Sequence, residues 1–80
     1  MVTVSVNLKL LKSLRELHCL SISDVASKLG FKTPTGFWLV ETGKRNMSIP
    51  ILYQLSLLYK TPVENLLIVK EEEEDSNRSE

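Results

Sequence analysis

Few side chains in this 80-residue sequence are equipped for covalent chemistry. His18 and Cys19 are neighbours, and each is the only residue of its type. A reactive thiol needs a base or a cation held against it, and Cys19 has none in any recognisable arrangement. A lone histidine at the end of a helix reads as a surface or capping residue. No Cys/His cluster has metal-ligand spacing, and a single cysteine excludes an internal disulfide. Paired carboxylates, a nucleophile–base pair and a phosphate-cradling glycine loop are also missing, so the sequence predicts no enzyme, no catalytic residue, no metal and no cofactor. The remaining chemistry is non-covalent and cationic. Residues 1–70 hold nine basic side chains (Lys9, Lys12, Arg15, Lys28, Lys32, Lys44, Arg45, Lys60 and Lys70) against Glu16, Asp24, Glu41 and Glu64, a net charge of +5. Residues 71–80, EEEEDSNRSE, carry −5. The overall charge of zero therefore hides a basic body suited to a polyanion and an acidic run of the kind that stays disordered.

The elements that would position these cations follow from the stretch Ser21–Arg45. Ser21-Ile-Ser-Asp24 is a capping-box start with a carboxylate in the positive first turn of a helix. Val25 and Leu29 share one face, Ala26 permits a close crossing, and Gly30 stops the helix. Thr33 then caps another helix with Pro34 at its first position, where a missing N–H is harmless. Phe37 and Val40 lie three apart on that helix, which ends at Thr42-Gly43 and runs into the basic loop Lys44-Arg45. Two short helices with this spacing predict a helix-turn-helix, whose second helix enters the DNA major groove.

The flanks complete the expected fold. Asn7 caps a first helix with Leu8, Leu11, Leu14 and Leu17 assigned to its inner face. Ser48 starts a fourth helix with a core stripe of Ile51, Leu52, Leu55, Leu58 and Tyr59. Thr61-Pro62-Val63-Glu64 reads as a capping box opening a fifth short helix, with Val63, Leu66 and Leu67 closing the core. Val2, Val4 and Val6 alternate with Thr3 and Ser5, as in a short strand. Its best mate is Leu67-Ile68-Val69, in the same chain or in a second subunit. The expected fold class is thus all-α, a compact five-helix domain with a helix-turn-helix at helices 2–3 and a short N-terminal β-strand. The expected divisions are an arm or strand at 1–7, the DNA-binding domain at 8–69 and an acidic disordered tail at 70–80. The start MVTVSVN has neither a basic n-region nor a long apolar run, so no signal peptide or membrane span is expected, and the lone cysteine favours a reducing cytoplasm.

Several of these motifs occur in the order seen in a known family. Leu14-Arg15-Glu16, the Val-Ala-x-x-Leu-Gly turn (Val25 to Gly30), Glu41-x-Gly-Lys-Arg45 and the closing Pro-Val-Glu-Asn-Leu-Leu together resemble the Cro and phage-repressor (XRE-type) helix-turn-helix regulators, over about Leu8 to Leu67. The resemblance implies a buried ion pair between Arg15 and Glu41, which suits the bidentate geometry of a guanidinium and a carboxylate. It implies phosphate contacts from Ser21 and Ser23 at the start of the second helix, and from Gly43, Lys44, Arg45 and Asn46 after the third. Counted back from Glu41, the base-facing positions fall at Lys32, Thr33, Pro34, Thr35 and Trp38, with Leu39 at the margin. The chain departs from the family at Ile22, where glutamine is usual, and in one extra residue between Gly30 and Glu41. None of the strong bidentate base readers, Arg to guanine or Asn and Gln to adenine, occupies the third helix.

The function implied is a sequence-specific regulator of double-stranded DNA, a repressor of phage or bacterial type acting as a homodimer. The alternative is a helix-turn-helix module used mainly for protein contact, as in an antitoxin-like or antirepressor-like subunit. The apolar run Phe37-Trp38-Leu39 and the acidic tail support that alternative.

Overall fold

The computed structural model describes residues 1–71. In order, these form strand β1 (Val2–Val6), helices α1 (Leu8–Leu17), α2 (Ile22–Leu29), α3 (Pro34–Glu41) and α4 (Ile49–Leu58), a 3-10 turn (Val63–Leu66) and strand β2 (Leu67–Glu71). Each α-helix begins at a side-chain cap three residues ahead of the amide it satisfies. Asn7 Oδ1 accepts from Leu10 N, Ser21 Oγ from Asp24 N, Thr33 Oγ1 from Gly36 N and Ser48 Oγ from Ile51 N. At Ser21 the box is complete, because Ser21 N donates back to the Asp24 carboxylate at 2.9 Å. These bonds to the Ser21 backbone and hydroxyl hold the Asp24 carboxyl below its ordinary range.

Three helices end in the same way. Gly30 adopts φ +84°, and the amide of Phe31 reaches back to the Ala26 carbonyl at 2.8 Å. Cys19 (φ 58°) and Lys60 (φ 54°) occupy the equivalent left-handed position after α1 and α4, with Leu20 N bonded to Arg15 O and Thr61 N to Ser56 O. Those two ends carry a side chain where glycine is favoured. After α3, Gly43 (φ +85°) makes the turn, and a Cβ there would stand 2.8 Å from Leu8 Cδ1.

The core contains Leu11 from α1, Val25 and Ala26 from α2, Phe37 from α3, Leu52 and Leu55 from α4, Tyr59 and Leu66. Its deepest members come from all four α-helices and the 3-10 turn, so burial of apolar area is shared across the chain. Leu17 does not join them and is 74% exposed. Steps of three residues each turn back by about 60° on a helix of 3.6 residues per turn, so three steps carry Leu17 round to the side opposite Leu8. His18, the C-cap of α1, stacks on Tyr59 and directs Nε2 at the Tyr59 carbonyl oxygen, 3.2 Å away, as a capping histidine would. Burial pushes the Tyr59 phenol up to about 12.

The expected all-α five-helix architecture is corrected. Among the described residues there are four α-helices and a two-stranded antiparallel sheet. The anticipated fifth helix is a four-residue 3-10 turn with no side-chain cap. Thr61 does not cap it: Pro62, which has no side-chain acceptor, stands at the N-cap, and the Thr61 hydroxyl donates to the Tyr59 carbonyl at 3.0 Å. From Leu67 the chain leaves as a strand, too soon for a second helical turn. β1 pairs with β2 in the same chain, Val2 opposite Glu71, Val4 opposite Val69 and Val6 opposite Leu67. Asn7 N bonded to Leu66 O at 2.8 Å anchors the root of this ribbon to the helical body. Lys70 and Glu71, the first two residues of the expected tail, belong to β2. The rest of the expected acidic tail lies outside the described residues.

Candidate nucleic-acid interface

Arg15 and Glu41 organise the site from below. Arg15 Nε donates to Glu41 Oε1 at 2.8 Å and Nη2 to Oε2 at 3.3 Å, while Nη1 donates to the Leu20 carbonyl at 2.8 Å. Both side chains are buried. The guanidinium therefore ties α1, the loop before α2 and the last turn of α3 into one unit. The hydrogen bond to Glu41 holds the Arg15 pKa above its already high ordinary value.

Above this pair lies an open groove lined by Leu8, Lys9, Lys12, Ile22, Trp38 and Thr42. Trp38 is 43% exposed, and Lys44 Nζ lies 6.0 Å from its ring centre, within cation–π range. The indole is thus a surface group bracketed by three lysines, two from α1 and one from the loop after α3. Lys9 and Lys12 did not stand out in the sequence as contact residues. Their three-residue spacing, continued by Arg15, was the signal, since it puts all three on one side of α1.

A second groove runs along the turn between α2 and α3, lined by Ser23, Ala26, Ser27, Gly30, Phe31, Lys32, Thr33 and Pro34. The base-facing set expected from the sequence is divided between the two grooves. Lys32, Thr33 and Pro34 line the second and Trp38 the first, while Thr35 is exposed at the start of α3. Thr33 already uses its oxygen as an acceptor for Gly36 N, which leaves its hydroxyl proton for an external acceptor.

The expected phosphate-contact residues Ser21, Ser23, Gly43, Lys44, Arg45 and Asn46 are all exposed. The geometry refines their roles. The Ser21 amide is occupied by the Asp24 carboxylate, so it is not a free donor. The next amides, those of Ile22 and Ser23, lie in the first turn of α2, where no intrahelical partner exists. In the loop after α3, Arg45 N is bonded to Leu39 O at 3.1 Å, which fixes the backbone and leaves the guanidinium outward.

The apolar run Phe37-Trp38-Leu39 does not form a continuous surface, because Phe37 is buried and Leu39 half-buried. An exposed apolar stripe occurs elsewhere, on α4, where Ile49, Tyr53 and Leu57 recur every four residues. Among the described residues no group of three or more His, Cys, Asp or Glu is placed to hold a metal ion, and no helix is long and apolar enough to cross a membrane. No protein-family model matches the chain, and no curated protein matches it.

Proposed function

We propose that this chain is a sequence-specific double-stranded DNA-binding regulator of the Cro and phage-repressor type, a repressor that acts as a homodimer by occupying its site. The observation that carries the reading is the cationic bracket around an exposed α3 face, Lys9, Lys12 and Lys44 about Trp38 with Thr35 on the same helix. Lysine and arginine on this rim neutralise phosphates, while Thr35 and Trp38 meet base edges, thymine methyls and sugars. A threonine and an indole discriminate less sharply than a bidentate arginine, so the regulator takes much of its affinity from the backbone. Two copies would read half-sites about 34–36 Å apart on a pseudo-palindrome. The reading carries a cytoplasmic location with it, where a free thiol such as Cys19 stays reduced.

The test is binding of the full chain to duplex DNA as a function of salt. Arg45→Ala should weaken binding to all sequences alike and lower the salt slope by about 0.9 per lost phosphate contact. Lys44→Ala should do the same to a smaller extent, because an ammonium lacks the planar fork of arginine. Affinity independent of salt, or no duplex binding at low ionic strength, refutes the reading. The α4 stripe favours a second reading, a helix-turn-helix module used for protein contact, which those outcomes would promote.

A further inference from the structure

The β1–β2 ribbon is anomalous for a small domain. An isolated pair of strands is only marginally stable in water, yet most of this one extends away from the core. Directly opposed residues share a face, so Val2, Val4 and Val6 lie with Leu67, Val69 and Glu71, and Thr3 and Ser5 with Lys70 and Ile68. On the valine face Val2 is 58%, Val4 56% and Val69 60% exposed. Only the root, at Val6 and Leu67, packs against the helices.

The two outer edges differ in a way that selects the occupant. β2 ends in Lys70-Glu71, and two-fold pairing with its own copy about Val69 would set Glu71 opposite Leu67 and Lys70 opposite Ile68, a charge against an apolar side chain at each end. β1 carries no charge, no proline and no glycine, and has the β-branched residues that suit a strand. Its sequence Val-Thr-Val-Ser-Val is also chemically palindromic. Antiparallel pairing of two β1 strands about Val4 sets Val4 opposite Val4, Val2 opposite Val6 and Thr3 opposite Ser5. Every valine then stays on one face and every hydroxyl on the other. A one-residue slip from this two-fold register would scramble that alternation.

We propose that the edge of β1 left unpaired among the described residues is the contact between two copies of this chain, giving a four-stranded antiparallel sheet in the order β2-β1-β1-β2. The charged β2 strands lie at its outer edges, where charge blocks further addition, so assembly stops at two. The valine faces of the two ribbons become one continuous apolar surface. Five residues from each copy make a junction below the roughly 1,200 Å² of specific stable interfaces, so the dimer is weak and depends on concentration. The proposal takes from the DNA-binding reading only that two copies act together. It is tested without DNA, so either can fail alone.

The experiment is sedimentation equilibrium of the full chain across the micromolar to millimolar range. The mass should rise from 9.1 kDa to about twice that value. Val4→Lys should hold it at the monomer mass with the helical circular dichroism unchanged. Because Val4→Lys also alters the β1–β2 pair, a second variant reads the contact directly. With Cys19→Ser as background, Val4→Cys should form an intermolecular disulfide under mild oxidation, since opposed residues across antiparallel strands have Cβ atoms about 4.5–5.5 Å apart. Tyr53→Glu on the exposed α4 stripe should leave the dimer intact. A monomer throughout the range, a dimer that Val4→Lys leaves untouched, or a dimer lost in Tyr53→Glu overturns the proposal.

Discussion

Replacing Arg15 by alanine is the sharpest perturbation of this fold. It removes two hydrogen bonds to Glu41 and one to the Leu20 carbonyl, and strands a buried carboxylate beneath α3. Breaking one side of a buried pair costs about 3–5 kcal/mol, mainly because the remaining charge is uncompensated. A chain of this length has a total stability of about 4–12 kcal/mol, so Arg15→Ala should leave the domain marginal. At about 4–8 °C per kcal/mol for a domain of this size, the melting temperature should fall by at least about 12 °C. The pair itself should contribute far less than either single substitution suggests. Arg15→Met with Glu41→Leu exchanges both charges for apolar groups of similar volume, which is often neutral or stabilising. The residual cost should be about 1–3 kcal/mol, from the Leu20 carbonyl that loses its charged donor. Thermal and urea unfolding followed by circular dichroism on the four corners of this cycle measures the coupling. If Arg15→Ala melts within two or three degrees of the parent, or if the double variant loses the sum of the two singles, the argument from a stranded buried charge is refuted.

Trp38→Ala should stay folded, since the indole lies outside the core, but should change which duplex sequences are preferred. Trp38 is the only tryptophan, so its fluorescence should respond directly to saturating duplex; unaltered emission would remove it from the interface. Lys60→Gly should stabilise by about 0.5–1 kcal/mol, because residue 60 sits at φ 54°, where a side chain is disfavoured. A melting temperature lowered by this change would contradict the αL assignment at the end of α4. The lowered pKa of Asp24 adds stability that is fully present above the ordinary carboxyl value of 3.8 and is lost as pH falls through the folded-state value. Asp24→Asn should therefore melt lower than the parent at neutral pH and converge on it in acid; a constant difference across that range would show that the capping carboxylate is not the cause.

The local punctuation of this fold was legible in the sequence because each signal is satisfied within a few residues. Asn7, Ser21, Thr33 and Ser48 cap helices because each side chain needs only the amide three positions on. Gly30 ends α2 because the left-handed turn is a property of its own backbone, and the Val2-Val4-Val6 alternation declares a strand by itself. Where a group had to choose among partners, tertiary structure decided. Thr61 had the composition of a cap, but Pro62 took the N-cap position with no side-chain bond, and the fifth helix became a 3-10 turn. Leu17 matched a leucine repeat in steps of three, but the helical period rotated it into solvent. Lys9 and Lys12 became part of the candidate site only because the Arg15–Glu41 pair draws α1 against α3, beside Trp38. The sequence named the mate of β1 but not its chain, and pairing within one chain goes with Asn7 N meeting Leu66 O, residues far apart in the sequence. Short-range hydrogen bonds and backbone preferences are carried by the sequence segment itself, whereas burial, charge pairing and strand partnership are set by groups that only the folded chain brings together.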